Sequence, residues 1–322
     1  MAVNAGKKEK TWTRILRENR MNPAEICRLS GLAKEELAQI DDLFPIRING
    51  NLNTGSEAVM KQFLPSLSEL NDTGEDDPLA EVEHERAPGI IHRYPNRVLF
   101  LVSNICASYC RFCTRRRLVG KQASLNDRKL GAGIQYIADH EEIDEVILSG
   151  GDPLMLSDKK LETILIALRK IPHIGPIRVS TRALVVLPER ITVALVKMLQ
   201  QFNPLYLITQ INHPDELTAK TDAAIACLVD HGIPVLNQSV LLKGINDQRR
   251  IMLKLVKNLI ERRVRPYYLH QMDPARGTLH FRVPVKKGKE IIASLRENIG
   301  GYAVPHYVFD DPRQNAKTLL FP

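Results

Sequence analysis

The chain is predicted to be an α/β protein in which six strand–helix units form an open (β/α)6 barrel. Short apolar runs rich in Val, Ile, Leu and Tyr recur between positions 98 and 270, and amphipathic stretches separate them. Polar residues collect where successive runs end, which is the face on which parallel barrels build active sites. Three narrowly spaced cysteines follow the first of these runs.

Composition fits a globular protein of the cytoplasm. The 322 residues contain no apolar run of membrane-spanning length, and residues 7–10 are charged rather than part of an apolar signal segment. Five cysteines, three of them clustered, do not form a disulfide framework. The net charge of +8 is not accompanied by interleaved aromatic residues, so we expect neither a nucleic-acid partner nor a membrane partner.

Residues 1–85 are predicted to form a small helical region. Helical patterns cover residues 11–20, 33–43 and 57–68, and an acidic, breaker-rich loop follows at 71–78. The barrel is assigned to residues 86–280. Residues 281–322 are a C-terminal segment, in which 287–298 predict a helix and 300–310 a strand beside the barrel.

Six runs are predicted to be barrel strands, because they are short and almost continuously apolar, as strands buried on both faces are. They cover residues 98–102, 145–149, 177–181, 205–211, 234–242 and 265–270. The clearest helices between them cover residues 158–170, 189–201 and 219–231. Asp158 and Asp215 are predicted to begin helices. Gly232 and Pro234 are predicted to end one, because Gly adopts the left-handed cap and Pro cannot continue a helix.

Cys106, Cys110 and Cys113 form a C-x3-C-x2-C motif after the first predicted strand. Thiolates are the ligands of iron–sulfur clusters, and three of them on a four-iron cube leave one iron without a protein ligand. Such an open position can bind and polarise a small molecule. Three unrelated buried thiols or part of a zinc site are the alternatives, although zinc requires a fourth ligand at similar spacing.

The cysteine motif, with Phe112 before its last member, resembles the radical S-adenosylmethionine (SAM) superfamily. The resemblance implies that the open iron chelates the amino and carboxylate groups of SAM, which one electron then cleaves to a 5′-deoxyadenosyl radical. Gly150-Gly151-Asp152 follows the second strand. Glycines let backbone approach a ligand closely, so this run is interpreted as the site for the amino group of SAM. Ordinary turn chemistry is its alternative.

From about Asp76 onward the chain resembles one family closely, the lysine 2,3-aminomutases. The matching motifs are His92-Arg93-Tyr94-Pro95-Asn96-Arg97, the cysteine motif with Thr114-Arg115-Arg116-Arg117, Ser149-Gly150-Gly151-Asp152, Asn237-Gln238, Gly244-Ile245-Asn246-Asp247, Arg265-Pro266-Tyr267-Tyr268, Gly301-Tyr302-Ala303-Val304-Pro305, and Asp310 followed by Lys317. The family fold is an open radical SAM barrel, and its members carry pyridoxal phosphate in addition to the [4Fe–4S] cluster.

The resemblance assigns cofactor-binding residues. Lys317 falls at the position of the lysine that anchors pyridoxal phosphate covalently, which also makes it the catalytic residue. Arg93 and Arg97 match the arginines that bind the cofactor phosphate, a role that suits guanidinium charge and geometry. Gln238 is placed with Gly150, Gly151 and Asp152 among the cofactor-binding residues. A solvated lysine and two surface arginines are the alternatives.

The resemblance also assigns substrate-binding residues. Arg115 matches the residue that binds the α-carboxylate of lysine, and Asp273 and Asp310 match the carboxylates that bind its ε-ammonium group. A relative that accepts glutamate is expected to neutralise or reverse the two acidic positions. Arginine remains open as a substrate, and capping of the turn at Asp311-Pro312 is the structural alternative for Asp310.

The implied activity is that of an isomerase that converts L-lysine to β-lysine by 2,3-amino migration. It needs an external electron donor such as flavodoxin or ferredoxin, and a homo-oligomer is left open. Three alternatives stand beside this reading: an aminomutase that supplies β-lysine for elongation factor P, a 2,3-aminomutase for another amino acid, and a radical SAM enzyme that modifies RNA.

The chain departs from the family pattern at three places. Residues 313–316 read Arg-Gln-Asn-Ala where the family has a glycine-rich run, so the reach of Lys317 depends on a loop with less backbone freedom. Residues 209–212 read Thr-Gln-Ile-Asn in place of Thr-His-Phe-Asn. The chain stops at Pro322, a length that favours the elongation factor P relatives, whereas residues 113–117 and the region of Asp310 favour the enzymes for free lysine.

Overall fold

The computed structural model describes residues 11–121 and 124–321, so residues 7–10 lie outside the described part of the chain. Its ten strands form one sheet in chain order, and within the described residues the first and last strands do not pair. The barrel is therefore open. The strands are β1 Glu85–Ala87, β2 Ile90–Tyr94, β3 Arg97–Ser103, β4 Glu145–Gly150, β5 Ile177–Thr181, β6 Leu205–Thr209, β7 Val235–Leu241, β8 Val264–Gln271, β9 His306–Phe309 and β10 Thr318–Phe321.

The α-helices surround this sheet. They are α1 Thr11–Glu18, α2 Pro23–Ser30, α3 Lys34–Leu43, α4 Glu57–Met60, α5 Glu81–His84, α6 Asp127–Ala138, α7 Asp158–Arg169, α8 Ala183–Val186, α9 Val193–Gln200, α10 Ala219–Asp230, α11 Arg249–Glu261 and α12 Val285–Asn298. Among the described residues, none of these helices has both the length and the apolar character needed to cross a bilayer.

The six predicted strands are confirmed as β3 to β8, each within two residues at either end. They pair in parallel, so their carboxyl ends meet at one edge of the barrel. The predicted strand beside the barrel is also confirmed, because β9 pairs in parallel with β8. It covers only His306–Phe309 of the predicted residues 300–310, since Gly301–Ala303 form a 3-10 helix. Two antiparallel additions were not predicted: β1 and β2 precede β3, and β10 follows β9.

Some predicted helix boundaries are wrong. The helix predicted over residues 57–68 ends at Met60, because Pro65 lacks the N–H that a helix interior needs. The helix predicted from residue 189 begins only at Val193, where the Thr192 hydroxyl accepts the backbone N–H of Leu195. Asp215 lies in a 3-10 turn, and Thr218 instead caps α10. Asp158 does begin α7, and Gly232 has the predicted left-handed backbone, with φ of 76°.

One hydrophobic core joins the N-terminal helices to the barrel. It extends from Trp12 and Ile40 through Phe100 to Leu165 and Leu207. The first 85 residues therefore pack on the barrel, while the three-part division at residues 85 and 280 stays a prediction.

The open barrel has a seam between its two antiparallel flanks, with β2 on one side and the β9–β10 connection on the other. Arg93 on β2 forms an ion pair with Asp310, which directly follows β9. This contact joins the two flanks across the seam.

Candidate functional site

A cavity of about 1000 Å³ occupies the barrel interior, and its lining extends from the amino ends to the carboxyl ends of the parallel strands. Its wall includes every predicted site residue: Cys106, Cys110, Cys113, Arg93, Arg97, Arg115, Gly150, Gly151, Asp152, Gln238, Asp273, Asp310 and Lys317. The structure thus brings together residues from seven separate stretches of the sequence. We call one group the cysteine end, which comprises Cys106, Cys110, Cys113, Gly150, Gly151 and Asp152. We call the other the lysine end, which comprises Arg93, Arg97, Asp273, Asp310 and Lys317.

The three cysteines lie on the loop after β3, and all are free thiols. Burial, Asp152 and the other two thiols raise the pKa of Cys106 well above its ordinary value. Burial and the Cys110 thiol raise the pKa of Cys113 to about 11. Three neighbouring, partly buried thiols fit a cationic iron–sulfur core, which would stabilise their thiolate forms.

The thiols are not drawn together around a single point. Among the described residues, no three His, Cys, Asp or Glu side chains are arranged to hold one metal ion. A four-iron cube binds each cysteine through a different iron, so it requires thiols that face a shared volume rather than one atom. The cysteine end fits the cube better than it fits zinc.

Gly150 and Gly151 hold the cysteine loop against the end of β4. Gly150 has φ of +130°, and a Cβ atom there would lie 2.0 Å from the carbonyl oxygen of Ser103. The N–H of Gly151 donates to that same oxygen at 2.6 Å, and the N–H of Asp152 donates to Ile105 at 2.9 Å. These N–H groups are used within the protein, so it is the carbonyl oxygens of the run that can accept a ligand amine.

The Asp152 side chain serves the protein itself. Its carboxylate is buried and accepts hydrogen bonds from the Thr181 hydroxyl and from the backbone N–H groups of Leu154 and Arg182. Any contribution of this residue to cofactor binding therefore comes through the backbone and through the shape it gives the turn.

At the lysine end, Arg93 and Arg97 converge on one aromatic ring, although their spacing in sequence did not require it. Their guanidinium carbons lie 4.6 and 4.2 Å from the centre of the Tyr94 ring. Burial and Asp310 raise the pKa of Tyr94 to about 12, so its hydroxyl stays protonated and donates to Asp310 at 3.1 Å. Two cations beside a hydroxyl suit a phosphate group.

Lys317 reaches the cavity despite the absence of a glycine-rich loop before it. Residues 311–314 form a turn in which Asp311 binds Arg313, and the chain then enters β10. The ammonium group of Lys317 pairs with Asp310, the residue that also binds Arg93. Although burial opposes ionisation, Lys317 and Arg93 lower the pKa of Asp310 to about 2.

Asp273 differs from Asp310 because it forms no ion pair with the described residues, although Lys317 and Arg93 lie close enough to act on its charge. Its Oδ1 atom is buried without a hydrogen bond among the described residues. Burial and the neighbouring Asp310 raise the pKa of Asp273 to about 7. An unsatisfied buried carboxylate oxygen beside a cavity is a place for a cationic ligand group.

Arg115 has its Nε and one terminal nitrogen on Glu81, at 2.7 Å. Among the described residues, the remaining Nη1 has only long contacts of 3.4 Å, to Ser149 and to the carbonyl of Gly150. Glu81 therefore turns one edge of this guanidinium toward the cavity, where an incoming carboxylate can bind it.

Sequence reasoning did not assign several residues of the cavity wall, among them Glu81, Arg182 and His270. Burial and Lys317 lower the pKa of His270 to about 3, so its ring is neutral. The available signal in the sequence was its position one residue before the end of β8, where polar side chains collect. Nothing in the sequence pointed to Glu81, which lies in a four-residue helix outside the barrel strands.

Comparisons with known proteins agree with this geometry. The model of the radical SAM superfamily matches residues 100–256. The L-lysine 2,3-aminomutase of Fusobacterium nucleatum is 47% identical over 276 residues, 84% of this chain and 65% of that protein. The L-lysine 2,3-aminomutase of Methanococcus maripaludis is 43% identical over 299 residues, 90% of this chain and 69% of that protein.

Two further matches define what similarity alone establishes. The glutamate 2,3-aminomutase of Clostridioides difficile is 42% identical over 261 residues, 80% of this chain and 62% of that protein. Overall identity therefore does not select the substrate. The solved structure of native anSMEcpe with bound AdoMet has a TM-score of 0.51 and 15% identity, covering 63% of this chain and 59% of that one, and it supports the fold alone.

Proposed function

Because the chain belongs to the lysine 2,3-aminomutase family of the radical SAM superfamily, we propose that it is an isomerase that converts L-lysine to β-lysine. It spans 65% of the length of its Fusobacterium relative, so the activity of the whole protein is a proposal. We also propose a cytoplasmic location, because the reducing environment there protects free thiols.

One observation carries the proposal: the cysteine end and the lysine end line a single cavity. When bound, the cluster with SAM supplies a radical that abstracts hydrogen, and pyridoxal phosphate supplies a π-system that spreads the unpaired electron while nitrogen migrates. The protein contributes position, since both ends face one cavity inside the barrel. An external one-electron donor is required.

At the cysteine end, Cys106, Cys110 and Cys113 would hold the cluster. The carbonyl oxygens of Gly150 and Gly151 would accept hydrogen bonds from the amino group of SAM, because the neighbouring N–H groups are already used. Gln238 on β7 lines the same wall and can donate or accept through its amide.

At the lysine end, Lys317 would hold pyridoxal phosphate covalently, with Arg93 and Arg97 at its phosphate. This requires Lys317 and Arg93 to leave Asp310, their present shared partner. Cofactor binding is thus an exchange of ionic partners, and it frees the Asp310 carboxylate for the substrate.

For the substrate, Arg115 would bind the α-carboxylate, and Asp273 with Asp310 would bind the ε-ammonium group. The unsatisfied oxygen of Asp273 favours a cationic side chain. A glutamate side chain would place a third carboxylate beside two others, which is strongly unfavourable at a buried site.

The deciding experiment is anaerobic incubation of the reconstituted protein with SAM, pyridoxal phosphate, a reductant and L-lysine, followed by amino-acid analysis. We expect β-lysine, and no product from glutamate supplied in parallel. Formation of a β-amino acid from glutamate but not from lysine would refute the substrate assignment.

A further inference from the structure

Arg182 lies behind the cysteine loop, at the end of β5, and only 8% of its surface is exposed. One terminal nitrogen, Nη1, donates to the Cys110 sulfur at 2.7 Å. The other, Nη2, donates to the Glu216 carboxylate at 2.6 Å. A buried guanidinium thus connects one of the proposed cluster ligands to a carboxylate.

Further contacts hold the two terminal nitrogens and the plane of the guanidinium, whereas its Nε is buried without a hydrogen-bond partner among the described residues. Its Nη2 also donates to the side-chain oxygen of Gln62, and its plane lies against the rings of Phe63 and Phe112 at 4.7 and 5.3 Å. Glu216 is itself fixed, because it accepts the backbone N–H groups of Asn212 and His213. The Nη1 group therefore has little freedom to move away from Cys110.

Other arginines near the cysteine loop are bound differently. The guanidinium groups of Arg115, Arg116 and Arg117 pair with carboxylates of Glu81, Glu69 and Asp77. Arg182 also pairs with a carboxylate, and in addition it donates directly to a ligand sulfur.

We propose that Arg182 is a positioning residue that holds the Cys110 sulfur and raises the reduction potential of the cluster. The inference rests on the proposed function, since it requires the cluster at these cysteines. A thiolate bound to iron can still accept a hydrogen bond, and such bonds, together with local charge, set cluster potentials. Reduction adds one electron to the cluster, and a nearby positive charge and an N–H donor stabilise the more negative, reduced form.

The test measures the midpoint potential of the reconstituted cluster, by anaerobic titration followed through the electron paramagnetic resonance signal of its reduced form. Arg182→Met removes the positive charge and the N–H donors but keeps an unbranched side chain of similar length. At a fixed solution potential, we expect the ratio of reduced to oxidised cluster in this variant to fall about tenfold. For a one-electron couple, this corresponds to a midpoint potential about 59 mV lower. Arg182→Lys keeps the charge and should shift less.

Two further variants separate electrostatics from packing. Glu216→Gln removes the negative charge on the far side of the guanidinium, so its potential should move in the opposite direction. Arg190 is a matched control, because its guanidinium is fully buried but donates to Leu154 and pairs with Asp158 rather than with a thiol. Arg190→Met should retain the wild-type potential.

Wild-type potential in Arg182→Met with full iron content would overturn the inference, as would shifts of the same sign in Arg182→Met and Glu216→Gln. If thermal unfolding shows that Arg182→Met does not fold, Arg182→Lys and Glu216→Gln are compared instead. Potential shifts of the same sign in these two variants would overturn the inference. Absence of any four-iron signal in the wild-type protein would refute the proposed function itself. Turnover of lysine is not needed for any of these measurements.

Discussion

Asp310 binds Arg93 across the seam of the open barrel, between residues 217 positions apart in the chain. Asp310 also binds Lys317, so one carboxylate holds two groups that are proposed to bind opposite ends of pyridoxal phosphate. These three charges satisfy one another. Neither Arg93 nor Lys317 therefore places an unpaired cation in the site.

Lys317→Ala should abolish covalent attachment of pyridoxal phosphate. It should leave the cluster intact, because Lys317 is not among the residues proposed to hold the cluster. The measurement is the absorption band of the bound cofactor and its removal by borohydride. Lys287 is a suitable control, since it is exposed and pairs with Asp247, and Lys287→Ala should keep the band. A band that survives in Lys317→Ala would mean that another lysine holds the cofactor.

Asp273→Asn and Asp310→Asn should each weaken lysine binding strongly. Truncation of one partner of a desolvated charge pair costs about 2–5 kcal/mol, which corresponds to roughly 30-fold to several thousand-fold in affinity. Binding and turnover of lysine are measured, with Asp311→Asn as the neighbouring control, because Asp311 pairs with Arg313 outside the pocket. Near-normal values in both variants would remove the reason for naming lysine.

The stability of the apo-protein should depend on pH through Asp273. Its pKa of about 7 lies above that of an unfolded aspartate, about 3.9. The folded state therefore binds more protons between these values, and stability falls as the pH rises, by at most about 1.4 kcal/mol per pH unit. Asp273→Asn should then raise the melting temperature more at pH 8 than at pH 5. An equal change at both pH values would contradict this.

Asp310 should behave in the opposite way. Its pKa is lowered to about 2, so its ion pairs stabilise the folded state above pH 4 and are lost as the pH falls toward 2. Asp310→Asn should lower the melting temperature at pH 6 and make little difference near pH 2. Calorimetry of the two single variants over one pH series tests both aspartates together.

Replacement of Cys106, Cys110 or Cys113 by Ala should abolish the four-iron cluster and, with it, the cleavage of SAM. Iron analysis and the appearance of 5′-deoxyadenosine are the two measurements. Cys227→Ala provides a control, because Cys227 packs against the main core rather than lining the cavity. Continued production of 5′-deoxyadenosine by the triple variant would refute the radical assignment.

Gly150→Ala should destabilise the protein and impair binding of SAM. The added Cβ would lie 2.0 Å from the Ser103 carbonyl oxygen, in a backbone conformation that L residues rarely adopt. Gly131→Ala is the matched control, since nothing lies within 4 Å of its Cβ and the helical position should gain up to about 1 kcal/mol. Thermal unfolding and equilibrium binding of SAM are compared in the two variants.

The barrel strands were predictable because they are buried on both faces and so carry continuous apolar runs. The hairpin β1–β2 and strand β10 were not, because they are only three to five residues long, and charged residues interrupt the apolar pattern of β1 and β2. A different reason applies to the site. The types of residue were predictable, whereas the pairing of Arg93 with Asp310, or of Arg182 with Cys110, arises only when the sheet is assembled.

The cysteine loop follows β3, whereas Asp273 and Asp310 follow β8 and β9. The cysteines proposed to start the reaction and the acids proposed to bind the substrate thus belong to separate stretches of one chain. If these roles hold, substitutions in the second stretch would change the substrate and leave the residues that generate the radical as they are. Within the described residues, the final strand pair is hydrogen-bonded to the rest of the sheet through β8, and the ion pair of Asp310 with Arg93 links it to β2 across the seam.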